Sequence, residues 1–151
     1  VNDAGQLLSG LAALGRLVPD GARLVGVGWA TVDLDRTLAG LPDPEAAGPL
    51  TDEPSLGARA RVVQAGSVAL VVLEPSTEGR LAAALARRGE GIACLYVTGP
   101  APLAGGRSTA LGVPGRLLPH DRPWGPFTML VAEPDPPDRA SPIEDQGSSS
   151  P

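Results

Sequence analysis

The chain has no lysine: all 12 of its basic residues are arginine. A side-chain amine able to form a Schiff base is therefore missing. It has one cysteine, Cys94, so an internal disulfide and a multi-cysteine metal site are both excluded. Aromatic residues make up 3% of the sequence, which leaves Val, Leu and Ala to fill any core. Basic runs are missing too, and the net charge is −5. Nucleic acid is a poor partner for such a surface, because phosphate neutralisation dominates that affinity. No apolar run approaches membrane-spanning length, and no charged-then-apolar leader is present. The expectation is a cytoplasmic protein with no membrane partner. There is no phosphate loop, no pair of catalytic carboxylates and no nucleophile elbow, and GEGIAC breaks the G-x-G-x-x-G spacing of a dinucleotide site.

What is present is enough for one domain, or for two small halves sharing a core. The chain has 151 residues, 42% of them apolar, with 20 Gly and 17 Pro to punctuate it. Leucines and valine spaced helically over residues 5–18 predict a leading helix packed outside a sheet, stopped by Pro19-Asp20-Gly21. Residues 24–31 read as a strand, and Asp33 as the cap of a short helix through Leu41. Residues 42–57 hold four prolines and no period, and are expected to be loop. Residues 59–64 and 67–73 predict two strands joined at Ala65-Gly66. Ser76 or Thr77 starts a helix ending at Arg87-Arg88-Gly89, with cations and a glycine suited to that end. Strands follow over 91–98, in a short piece of 110–118, and over 127–133, while GPAPLAGG (99–106) cannot make a good helix. The Pro-, Ser- and acid-rich end, 135–151, reads as a linker or tail. A domain cut from a longer polypeptide and a natural disordered tail both fit it.

The two halves echo one another, with VALVVLEP against FTMLVAEP. The wording of LEPSTEGRLAAALARRGEGI, together with VGVGWATVDLD and TMLVAEP, resembles the vicinal-oxygen-chelate superfamily of glyoxalases, bleomycin-resistance proteins and dioxygenases. The likeness is closest to its methylmalonyl-CoA epimerase-like branch. The resemblance implies an α+β fold of paired βαβββ modules, with mixed sheets curling round a cleft and the N-terminal helix added (1–23). The modules would occupy about 24–75 and 91–134, joined by a helix over 76–90. It also implies metal ligands at four strand positions, which here carry Gly26, Val71, Cys94 and Met129. Gly and Val offer no donor and Met a soft one, so no metal and no cofactor are expected.

Strand alternation places Gly26, Gly28, Ala30, Val71, Leu73, Cys94, Tyr96, Met129 and Val131 on one face, as an apolar concavity. The catalytic candidates are Cys94 as a nucleophile, Tyr96 as a donor to a carbonyl or enolate oxygen, and His120 as a general base oriented by Asp121. A buried structural cysteine, a half-buried strand tyrosine and a solvated loop histidine are the plainer uses of the same residues. Trp29, Trp124, Arg61, Met129 and Asp121 are candidates for substrate binding. For the tryptophans, core or dimer packing is the commoner use, and for Arg61 a solvated sheet face. Two functions fit. One is metal-independent proton transfer or addition next to the carbonyl of an acyl thioester, in a domain of a polyketide-synthase-like enzyme. The partners would then be a small-molecule or carrier-bound acyl substrate and neighbouring synthase domains. The other is a non-catalytic protein that sequesters an antibiotic, or a degenerate structural domain. A homodimer is expected from the resemblance.

Overall fold

The computed structural model describes residues 21–99, 103–119 and 126–133. The expected leading helix, His120, Asp121, Trp124 and the tail lie outside these residues.

The first strand, β1 (Arg23–Ala30), is buried along nearly all its length. Helix α1 (Leu34–Ala39) follows, capped as expected: Asp33 accepts from the Arg36 N–H at 3.0 Å. Next come β2 (Thr51–Glu53), β3 (Ala58–Ala65) and β4 (Val68–Pro75). The β3–β4 hairpin turns at Gly66-Ser67, one residue beyond the expected Ala65-Gly66. Gly66 supplies a φ of 69°, a left-handed conformation favoured at the first position of a two-residue loop.

Helix α2 (Arg80–Arg88) leads to β5 (Gly91–Thr98). The short β6 (Arg107–Ser108), β7 (Pro114–Leu117) and β8 (Phe127–Val131) complete the set. No helix among the described residues is long and apolar enough to cross a membrane.

All eight strands form one mixed sheet in the order β2-β3-β4-β1-β5-β8-β7-β6. The order is its own mirror about the β1–β5 seam. In the first half β1 runs parallel to β4; in the second, β5 runs parallel to β8. The seam itself is antiparallel, with Val27 opposite Leu95 and Gly28 opposite Cys94. Two modules of one topology therefore meet at their first strands. This is the duplicated arrangement expected from the echo between the halves, built into a single continuous sheet.

Three expectations need correction. Residues 42–57 are not all loop: they contain β2 and two short 3-10 turns, Pro44–Ala46 and Pro54–Leu56. Helix α2 begins at Arg80 rather than Ser76 or Thr77. Those two residues give their N–H groups to the Gly57 carbonyl, at 2.9 and 3.4 Å, and tie the end of β4 to the turn before β3. The strand expected within 110–118 is shorter, because 109–113 is a tight turn. In it the Val113 carbonyl accepts from both the N–H and the hydroxyl of Thr109, at 3.1 and 2.7 Å.

Each face of the sheet has its own core. On one face Val27, Trp29, Leu70, Val72, Leu95 and Val97 pack with Leu34, Leu38 and Leu41 of and after α1. On the other, Val71, Leu73, Cys94, Tyr96, Met129 and Val131 pack with Leu56 and with Leu81 of α2. A fully buried Leu side chain stabilises by roughly 1.5–3 kcal/mol, so these largely aliphatic clusters carry the fold.

Candidate active site

The second core contains the polar groups of interest. Tyr96 stands on β5 at the centre of the sheet, opposite Gly26 on β1 and Met129 on β8. Glycine at 26 makes room for its ring: a Cβ there would lie 3.3 Å from the Tyr96 Cβ and 3.4 Å from its Cδ2. Gly28 is tighter still, with Leu73 Cδ1 at 2.8 Å and Cys94 Cβ at 3.0 Å from such an atom. The small residues of β1 thus make a floor already occupied by side chains of its neighbours. Val71, Leu73, Cys94, Tyr96 and Met129 are all completely buried. The face expected from alternation is correct, while the open concavity expected above it is filled at these positions.

The sequence did not single out Glu53, the last residue of β2. It too is completely buried. The Tyr96 hydroxyl donates to Glu53 Oε1 at 2.7 Å, and the Ala110 N–H donates to the same oxygen at 3.2 Å. The other oxygen, Oε2, is buried without a hydrogen-bond partner. Burial pushes the Glu53 carboxyl above its usual value, against the opposing pull of the Tyr96 and Ala110 hydrogen bonds. Tyr96 is raised well above the usual phenol range, first by burial and then by the nearby Cys94 and Glu53. It is therefore a neutral donor at ordinary pH. Cys94 is likewise pushed up by burial, and further by the Glu53 charge; smaller opposing contributions come from Tyr96 and the Met129 backbone. An activated cysteine needs the reverse environment, so this thiol stays protonated.

Of the expected site residues, Tyr96 and Cys94 lie beside Glu53, and Met129 lies opposite Tyr96 in the same core. Trp29 and Arg61 do not join them. Trp29 packs in the α1-side core, and Arg61 pairs across from Val72 on that same side, with its Nε buried and unpartnered. His120, Asp121 and Trp124 fall outside the described residues. A separate depression of about 180 Å³, lined by Ala84, Arg88, Gly89, Glu90 and Gly91 among others, holds none of the candidates.

The residues at the four strand positions do not suit a divalent ion. Among the described residues, no three His, Cys, Asp or Glu side chains converge as a metal would need. Glu53 is the one carboxylate in the second core, and its Oε1 is already engaged. Cys94 is a protonated thiol and Met129 a soft thioether. This donor set does not fit a hard cation.

No protein-family model matches the sequence, and no curated protein matches it. Solved structures do. A hypothetical protein of Bacillus halodurans, BH1468, superposes with a TM-score of 0.62 at 17% identity, over 78% of this chain and 98% of that one. Methylmalonyl-CoA epimerase from Mycobacterium tuberculosis superposes with a TM-score of 0.61, also at 17% identity, over 74% of this chain and 88% of that one. The chain thus shares its fold with an epimerase of known structure. At this identity the likeness shows the fold alone.

Proposed function

We propose that this vicinal-oxygen-chelate-type domain transfers a proton at the carbon next to an acyl thioester carbonyl, without a metal, using Glu53. One observation carries the reading. Glu53 is a buried carboxyl with one oxygen positioned by Tyr96 and Ala110 and the other unpartnered. A carboxyl raised by burial is suited to acid–base work nearer neutral pH than a solvated one. In the proposed step Glu53 Oε2 takes the α-proton, leaving an enolate; the carboxyl exchanges that proton with solvent and returns a solvent-derived proton to the same carbon. The Tyr96 hydroxyl bond to Oε1 orients the carboxyl. The thioester class is suggested by the epimerase among the structural neighbours. A carrier-bound acyl group handed over by neighbouring synthase domains belongs to the same proposal.

The complete burial of Glu53, Tyr96, Cys94 and Met129 favours a second reading, in which the pair is architectural and the domain is not catalytic. Incubating the folded domain in D2O with a panel of coenzyme A and carrier-bound acyl thioesters separates the two. Proton transfer adds deuterium at the α-carbon, read by mass spectrometry. The gain is lost in Glu53→Gln and kept in Cys94→Ser. A panel that stays unlabelled establishes the second reading instead.

A further inference from the structure

Glu53 also occupies an unusual place in the topology. β2 and β6 are the two outermost strands of the sheet, and β5 is one of its two central strands. Glu53 ends β2, Ala110 lies two residues beyond β6, and Tyr96 is on β5. The single atom Glu53 Oε1 therefore connects one edge of the sheet, its middle and the far edge. The connection is possible only because the sheet curls until its ends approach. We propose that Glu53 is a pH-sensitive clasp on this curled sheet: protonated, it holds the β2 edge against the turn at 109–113, and ionised, it releases that turn and uncovers Tyr96 and Cys94.

The surroundings of the carboxyl support this. The two bonds to Oε1 favour the ionised carboxyl, but burying that charge with its other oxygen unsatisfied costs more, and a neutral acid in the same place costs less. No compensating cation faces it among the described residues. From β5 come Tyr96 and Cys94, both neutral when protonated. The arginines of β3 lie on the opposite face, where Arg59 pairs with Glu74. Arg80 of α2 donates to the Ser55 carbonyl at 3.3 Å in an exposed position, and Arg107 of β6 is exposed. Thr109 and Gly112 brace the 109–113 turn internally, so it would move as a unit.

The direction follows from linkage. The closed form holds the Glu53 proton more tightly than an open form in which the carboxyl meets water. Closure is fully favoured below the ordinary carboxylate value of about 4.5. It weakens as pH rises from there to the raised closed-state value, then levels off. Within that window the closing equilibrium falls about tenfold per pH unit.

Hydrogen-exchange protection, corrected for intrinsic rates, tests this on the whole chain across that pH range. The expected result is a fall in protection at 51–56 and 107–113 of about tenfold per pH unit, followed by a plateau, while β1 and β4 stay constant. Cys94, the single thiol, gives a second readout. Its labelling rate by a disulfide reagent, divided by that of the unfolded chain at the same pH, rises over the same window. Glu53→Gln flattens both profiles. Edge protection that tracks the central strands at every pH in the wild-type chain overturns the clasp, as does an unchanged slope in Glu53→Gln. The wild-type series decides the matter even if the variant does not fold. Deuterium incorporation into a thioester reads a different event, so either proposal can fail alone.

Discussion

Replacing Gly28 with alanine asks whether the interior of the curled sheet is packed or open. The new methyl group would sit 2.8 Å from Leu73 Cδ1, 3.0 Å from Cys94 Cβ and 3.4 Å from the Cys94 carbonyl. The first neighbour is the end of a flexible side chain. The second is fixed to β5, which is hydrogen-bonded to β1 at this register, Gly28 opposite Cys94. Overpacking of this kind costs about 1–3 kcal/mol. Alanine returns roughly 0.5–1 kcal/mol by stiffening the unfolded chain, and the Gly28 backbone does not require glycine, since its φ is not in the left-handed region. The expected net loss is about 1–2 kcal/mol. With a urea m-value of about 2 kcal/mol/M for a domain of this size, the midpoint falls by roughly 0.5–1 M at unchanged slope.

Gly26→Ala is the internal control. Its nearest contacts are 3.3 Å and 3.4 Å, so neighbours need give only slightly, and the loss stays within about 0.5 kcal/mol. Leu73→Val shortens the side chain nearest the Gly28 methyl and removes its Cδ atoms, so the Gly28→Ala penalty shrinks in that background by up to about 1 kcal/mol. Equal midpoints for Gly26→Ala, Gly28→Ala and wild type would refute the packing argument. They would mean that the space over β1 is open, and with it the buried environment assigned to Tyr96 and Glu53.

Three further outcomes follow from the same contacts. Asp33→Ala removes the cap of α1 and should cost about 1 kcal/mol in urea melts, with little change for Asp33→Asn. Glu90 is held below the usual carboxylate range, chiefly by the Thr31 hydroxyl, with help from the Val32 N–H and Arg36. The stability it contributes is therefore present above the ordinary carboxylate value and is lost as pH falls through the lowered one. Thermal melts of Glu90→Gln should lose that part of the acid limb and change little in shape above it. Leu56→Ala removes a fully buried side chain from the turn after β2 and should cost about 2–5 kcal/mol by urea titration.

The architecture was legible because its signals are local and repeated. Asp33 announces a helix start, Gly66 a hairpin, and the valine-rich stretch of β4 a strand buried on both faces. The echo of one half in the other foretold the symmetric strand order. The centre of the site was much harder to read, and Glu53 shows why. It lies in a strand of three residues between two prolyl 3-10 turns, too short for alternation to register, in a segment where four prolines argue for loop. Its partners are 43 and 57 positions away in sequence. Only the curl of the whole sheet brings them within hydrogen-bonding distance, and that curl is a sum over eight strands that no window of sequence contains. Cys94 was picked out by the resemblance and, with Tyr96, by strand period, but period gives the face and not what covers it. The structure adds to that thiol and phenol a buried carboxyl that the sequence did not single out. If the domain is catalytic, the group that moves the proton also closes the site, and the same ionisation that readies Glu53 Oε2 as a base loosens the edges over it.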